Sequence, residues 1–220
     1  MMRKTDGIIF DMDGLLFDTE LIYYQSTQKI ADVMEFPYSK ELYLKFLGVS
    51  DEEVQANYHE IYKEFGEERV AEFIERSYAD TIKVFESGEV PLKEGVIELL
   101  DYLDEQKIPR MVASSNVRPA IELLLDGAGI KERFSGIVSA EDVTRAKPDP
   151  EIFQKALAFL GTEAEHTLIF EDSFHGVTAA AAAGIPVIMV PDLLPPTEEI
   201  REKTIEIFES LTQAPDFLKK

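Results

Sequence analysis

The sequence predicts an α/β fold, a doubly wound parallel-sheet core interrupted once by an inserted, wholly α-helical cap. Short apolar runs alternate with helical patterns along most of the chain, the signature of a doubly wound α/β domain. Most of those runs are continuously apolar, as expected when helices cover both faces of a parallel sheet. Between residues 19 and 85 the alternation stops, and only amphipathic helical patterns follow one another.

Strands are predicted at residues 8–11, 110–114, 136–139, 167–171 and 186–190, with Ile205, Ile207 and Phe208 as a last, outer strand. Helices are predicted between them at 95–105, 119–126, 150–160 and 176–183. The alanine run 179–183 lets the last of these pack closely on the sheet. Within the helical interval, Ser50 with Glu53 forms a capping box, and Gly48 and Gly66 punctuate other helices. The predicted division is residues 1–18 and 86–220 for the α/β core and 19–85 for the cap. An insert placed directly after the first strand sits above the sheet's carboxyl edge, a location suited to a lid that excludes water and selects substrates.

With 220 residues there is room for one ordinary domain and a smaller insert. Apolar residues make up 45% and charged residues 30%, a globular balance. The formal charge of −21 argues against nucleic acid and anionic membrane as partners. Such a field also repels small anions, so a phosphate-handling site would need its own cations. With no cysteine, disulfides, thiolate catalysis and Cys-based zinc sites are excluded. The amino-terminal residues lack a signal-peptide apolar core, and no apolar run approaches the ~18 residues of a membrane span. A cytoplasmic protein is expected; the oligomeric state is not legible.

Residues 7–20, GIIFDMDGLLFDTE, say most about function. Asp11 and Asp13 stand one residue apart where an apolar run stops. A buried strand ending this way aims carboxylates at the edge where ligands of open α/β sheets bind. Carboxylates so close repel each other unless a metal or a shared proton intervenes.

Three further segments end or follow strands with pointed chemistry. In MVASSN, Ser114 closes a strand, and its hydroxyl with the backbone N–H groups of Ser115 and Asn116 would form an anion site at a helix start. A helix cap explains Ser114 equally well. In RAKPDPEIF, Asp149 reads as an N-cap and Pro150 as the first helical residue. Pro148 there pushes Lys147 towards an extended conformation, from which its ammonium can reach a phosphate. A lone lysine is otherwise a solvated surface residue. In LIFEDSFHGV, Glu171 and Asp172 form a second acidic pair, of which capping explains only one. Oxygen ligands from two neighbouring strands suit a hard cation such as Mg²⁺.

The order Asp11/Asp13, Ser114, Lys147, Glu171/Asp172 resembles the four motifs of the haloacid dehalogenase-like superfamily of phosphohydrolases. The chain is similar to members with a small helical cap after the first motif. Further matching text includes GAGIKERFSGIVSAEDV, KPDPEIF and EDSFHGVTAAAAAGIPVI, so the resemblance covers nearly the whole chain and is weakest in 19–85. It implies a Rossmann-like core and cleavage of small phosphomonoesters, with sugar phosphates the default substrate. It implies that Asp11 is the nucleophile and that Asp13 protonates the leaving oxygen, then deprotonates water. Ser114 and Lys147, with Ser115 and Asn116 beside them, would hold the phosphoryl oxygens. Mg²⁺ would be held by Asp11, the main-chain carbonyl of Asp13, Asp172 and, directly or through water, Glu171.

Dehalogenating and phosphonate-cleaving members of that superfamily lack the second aspartate, so Asp13 argues against both. Mutases resembling β-phosphoglucomutase share all four motifs but typically carry a His on the first cap helix and an Arg after the Gly-Val-Ser of the cap loop. Tyr23 and Asp51 stand there in this chain, and an acidic residue repels a second phosphate. Non-enzymatic alternatives are a receiver module, a calcium loop or an idle phosphate-binding protein. Receivers span ~120 residues without an insert, and their phosphorylated Asp follows a later strand. DMDGLLFDTE lacks the EF-hand spacing, and an idle binder would not need Asp13. His59 and His166 read as surface or core residues. His175 and Arg118 stand near the site in sequence. Tyr24, Phe46 and Phe65 read as cap core, whereas Tyr23 and residues 47–53 are positioned to face the cleft.

Overall fold

In a computed structural model, residues 5–47 and 51–219 are described. The strands are β1 (Gly7–Phe10), β2 (Arg110–Ala113), β3 (Gly136–Val138), β4 (Thr167–Glu171), β5 (Val187–Met189) and β6 (Glu206–Ile207). They form one parallel sheet in the order β3-β2-β1-β4-β5-β6. In the register, Ile9 lies beside Met111 on one flank and Ile169 on the other. From β1 the chain steps outward to β2 and β3, then crosses back to β4 on the opposite side. The carboxyl ends of β1 and β4 therefore flank the point where strand order reverses, and ligands of such sheets bind there.

Between β1 and β2 come α1 (Thr19–Met34), α2 (Lys40–Leu44), α3 (Asp51–Ile61) and α4 (Glu67–Glu86), the helical insertion expected from the sequence. It has an apolar cluster of its own, in which Phe36 stacks on Phe73 at 4.6 Å and meets Tyr62 edge-on at 5.0 Å. The segments entering and leaving the insertion are tied to each other. Asp18 N–H donates to Pro91 O at 3.0 Å, and Lys93 N–H donates to Leu16 O at 2.9 Å. This neck roots the insertion at the sheet's carboxyl edge.

Two layers of helix cover the sheet. Side chains alternate across a strand, so Ile8, Phe10, Val112 and Phe170 face α5 (Val96–Gln106), α6 (Arg118–Gly127) and the carboxyl-terminal residues. Ile9, Met111, Ala113 and Ile169 face α7 (Glu151–Leu160) and α8 (Phe174–Ala182) on the other side. Two short helices, α9 (Glu198–Lys203) and α10 (Ala214–Leu218), carry too few turns to show a readable periodicity. No helix among the described residues is long and apolar enough to cross a membrane.

Local boundaries differ from expectation in two instructive places. Pro150, not Asp149, caps α7, and the Asp149 carboxylate accepts from Glu151 N–H at 3.0 Å from one position earlier. Helix α8 starts at Phe174 instead of residue 176, because the Ser173 hydroxyl accepts from Gly176 N–H at 3.0 Å and caps it. Gly66 does open α4. Gly48 and Ser50 lie outside the described residues.

Phe73 is fully buried among the rings of the insertion. Phe73→Ala should lower unfolding free energy by about 3–5 kcal/mol, read from urea denaturation. A loss below ~1 kcal/mol would show that this aromatic cluster is not packed.

Candidate active site

Asp11 follows β1 directly, and its N–H donates to Phe170 O of β4 at 3.0 Å, which joins the two strand ends. The chain then folds back on itself. Met12 O accepts from the N–H groups of Leu15, Leu16 and Phe17 at 3.3, 2.9 and 3.1 Å. Gly14 sits in this turn at φ +79, and a Cβ there would stand 2.3 Å from Asp172 Oδ2. Only glycine supplies both that backbone conformation and that space. Gly176, within α8, supplies the space alone for the neighbouring acid, since a Cβ there would fall 1.6 Å from Glu171 Oε1. Both glycines let backbone approach carboxylates closely.

Lys147 reaches into the centre from the loop before α7, where the Lys147–Pro148 bond is cis. Its side chain is 4% exposed, and Nζ lies 2.5 Å from Asp11 Oδ1 and 2.7 Å from Glu171 Oε1. It also donates to Ala113 O at 3.2 Å. The other Glu171 oxygen accepts from Ser173 N–H at 2.8 Å and Ser173 Oγ at 3.0 Å. Ser114 follows β2; its Oγ donates to Asp13 Oδ2 at 3.2 Å and accepts from Asn116 N–H at 3.0 Å. The Asn116 amide lies 3.4 Å from the same Asp13 oxygen and donates to the Tyr23 hydroxyl at 2.6 Å. One asparagine thus ties the sheet edge to the insertion.

Around Lys147 the carboxylates outnumber the cation. Burial pushes Asp11 up to about 8, opposed by Lys147 and reinforced by Glu171 and Asp13. Burial also raises Asp13, against the hydrogen bonds from Asn116 and Ser114. Asp172 lies far above the ordinary range through burial and the charges of Glu171, Asp11, Glu20 and Asp192. For Lys147, burial disfavours the ammonium, but Asp11 and Glu171 outweigh it and raise its pKa. So much negative charge demands protons or a further cation.

Asp11, Glu171 and Asp172 each offer an oxygen, and these atoms lie within 4.8 Å of one another. An all-oxygen set of this kind fits a hard divalent cation, not a metal that prefers nitrogen or sulfur. The Asp13 carboxylate is outside this group. Its Oδ1 and Asp192 Oδ2 are buried with no hydrogen-bond partner among the described residues.

A cavity of about 230 Å³ opens here, with Asp11, Asp13, Ser115, Asn116, Lys147 and Asp172 in its lining. Ser114 and Glu171 sit just behind them, buried. All eight site residues singled out in the sequence therefore meet in one place. Tyr23 and Leu47 line the cavity as expected. Phe46 packs against the cap cluster, as the helical spacing predicts, and lines the cavity as well, while Phe65 stacks in that cluster at 4.6 Å from Phe36. Arg118 is elsewhere, donating to Asp142 at 2.7 Å, and His166 pairs with Asp6 at 3.4 Å. His59 and His175 are not in the lining.

Asp192 went unread in the sequence. It lines the cavity after β5 and is held by Lys93 at 2.6 Å. Its signal was the one used elsewhere, an acid just past an apolar strand run.

A doubly wound parallel sheet with acids at adjoining strand ends, one buried ammonium between them and a helical insertion overhead defines an α/β fold with an acidic site at its switch point. The family model for haloacid dehalogenase-like hydrolases matches residues 8–190, and the chain belongs to that family. A Thermotoga maritima protein named "Phosphorylated carbohydrates phosphatase" is 34% identical over 82% of each chain. A Drosophila melanogaster protein named "Probable pseudouridine-5'-phosphatase" is 31% identical over 99% of this chain and 93% of its own. The fold matches that of CbbY from Rhodobacter sphaeroides, solved in complex with phosphate, with a TM-score of 0.80 at 23% identity, covering 95% of this chain and 96% of that one.

A carboxylate must lose its proton to bind a cation. Since Asp11 is pushed up to about 8, affinity for a divalent cation should rise as pH climbs from about 6 towards 8, with protons released on binding. Calorimetric titration with Mg²⁺ in buffers of different ionisation enthalpy measures both. Affinity flat across that window would show that Asp11 is already ionised.

Proposed function

We propose that this chain is a Mg²⁺-dependent phosphohydrolase that cleaves small phosphomonoesters through an aspartyl-phosphate on Asp11. The observation that carries this reading is the Lys147 ammonium bridging Asp11 and Glu171, while Asp13, two residues on, is held apart by Ser114 and Asn116. One aspartate is thereby placed next to the charge that receives a phosphoryl group. The other is left for proton transfer.

In the first step an Asp11 oxygen forms a bond to phosphorus as the ester P–O bond breaks, and Asp13 gives its proton to the departing oxygen. In the second, Asp13 takes a proton from water as that water displaces Asp11 from phosphorus. Burial raises Asp13, which favours the acid form needed at the outset. Lys147, the Ser114 hydroxyl and the backbone N–H groups of Ser115 and Asn116 hold the phosphoryl oxygens. Asp11, Asp172, Glu171 and the Asp13 carbonyl would hold Mg²⁺, which would supply neutralisation of the charge on the phosphoryl group. Residues 19–85 serve as a cap domain over a core of 1–18 and 86–220, excluding water from the reacting atoms.

The relatives' names support a monoester substrate, with phosphorylated carbohydrates first among them. Among the described residues lining the cavity, Lys147 is the one cation, and Glu20 adds a carboxylate on the insertion side. A sugar bisphosphate, as a phosphohexomutase would hold, finds no charge there for its second phosphate.

Asp13→Asn should lower turnover of a phosphomonoester by the ~10²–10⁴ of a lost acid–base group. Asp11→Asn should abolish the covalent phosphoenzyme. Near-wild-type phosphate release in the first variant, or a trapped phosphoenzyme in the second, would reject these roles. Formation of glucose 6-phosphate from β-glucose 1-phosphate in place of free phosphate would establish the mutase.

A further inference from the structure

Asp192 has one carboxylate oxygen accounted for and one not. It follows β5, whose end is fixed beside the acids of β4 by the Val190 N–H donating to Glu171 O at 2.7 Å. Lys93 donates to Asp192 Oδ1 at 2.6 Å. The Asp192 side chain is 8% exposed, and its Oδ2 is buried with no hydrogen-bond partner among the described residues. That oxygen is aimed at the acidic cluster. A Cβ on Gly14 would lie 3.2 Å from it and 2.3 Å from Asp172 Oδ2, so the two acids flank the same turn. Both line the cavity. A buried acceptor without a donor is costly. Anchoring Lys93 explains Oδ1 and leaves Oδ2 unexplained.

Asp192 is not one of the three acids whose oxygens lie within 4.8 Å of one another, so it stands one step out from them. Mg²⁺ dehydrates reluctantly and keeps several waters when bound, and their hydrogens need acceptors. From this we infer that Asp192 is a positioning residue of the cation site, its Oδ2 accepting from the water shell of a divalent ion held by Asp11, Glu171 and Asp172. Lys93 fixes the carboxylate through its other oxygen, as outer partners of a metal site commonly are fixed. Because the Lys93 N–H also donates to Leu16 O, this contact reaches from the cation site to the neck of the insertion. The inference rests on the Mg²⁺ dependence of the phosphohydrolase reading and adds a residue from β5 to it.

Calorimetric titration of the full chain with Mg²⁺ at fixed pH tests this without reference to turnover. Asp192→Asn keeps an acceptor for Lys93 but turns an amide donor towards the water shell. It should weaken Mg²⁺ binding by about tenfold to a hundredfold, as loss of an outer partner does. Asp192→Ala, which removes both oxygens, should weaken it at least as much. Lys93→Met removes a neighbouring positive charge and should leave affinity unchanged or tighter. Affinity indistinguishable from wild type in both Asp192 variants overturns the inference. So does a loss in Lys93→Met equal to that in Asp192→Asn, which would mean that the pair only braces the neck. Either result leaves the phosphohydrolase reading standing. No Mg²⁺ binding by the unaltered chain, together with no phosphate release from p-nitrophenyl phosphate, overturns both.

Discussion

Lys147 joins two acids that the fold brings side by side and that would otherwise repel each other. Asp11 and Glu171 stand at the carboxyl ends of β1 and β4, side by side in the sheet, and both are buried. Isolated carboxylates in such a place carry a large desolvation cost. One ammonium within 2.7 Å of both offsets much of it, and losing one partner of such a network leaves an uncompensated buried charge. The further carboxylate of Asp172, whose oxygen lies within 4.8 Å of those of Asp11 and Glu171, is what gives the cluster its capacity for a cation. The arrangement that burdens the fold electrostatically is also the one that prepares it for an anionic phosphoryl group.

The backbone around this network is shaped to permit it. Gly14 and Gly176 remove the two Cβ atoms that would strike Asp172 and Glu171. The turn from Met12 to Phe17 sends the chain upward within a few residues of Asp13, and the return through Pro91 and Lys93 is hydrogen-bonded to it. Whatever shifts the insertion therefore acts close to the acids. Asn116 makes the link explicit, since its amide meets Asp13 from the core and Tyr23 from α1. Floor and roof share a hydrogen-bonded side chain, which gives the insertion a route for affecting the proposed proton donor.

A net charge of −21 sits uneasily with a phosphate ester as substrate. The site resolves this locally, with one buried lysine and an oxygen donor set for a divalent ion, while the surface keeps its acidity. Long-range attraction is not the means of capture here. Short-range geometry is.

The strands, the helical insertion and the acidic pairs were legible because each rests on local pattern. Continuous apolar runs mark strands buried on both faces, acids at their ends mark the binding edge, and a missing alternation between residues 19 and 85 marks the insert. For other features the local pattern did not show where the residue would end up. Asp192 comes from a strand that becomes β4's neighbour only in the assembled sheet, and the helical spacing of Phe46, which packs on the cap cluster, does not show that it also walls the cavity. The caps of α7 and α8 shifted because side-chain hydrogen bonds, not residue preference alone, decide where a helix begins. Sequence by itself determined which elements form and which residues carry charge, since hydrophobic period and side-chain chemistry are local properties. Tertiary structure alone decided which charges meet and which rings face the cavity, because those depend on contacts such as Lys147 to Asp11 between residues 136 positions apart.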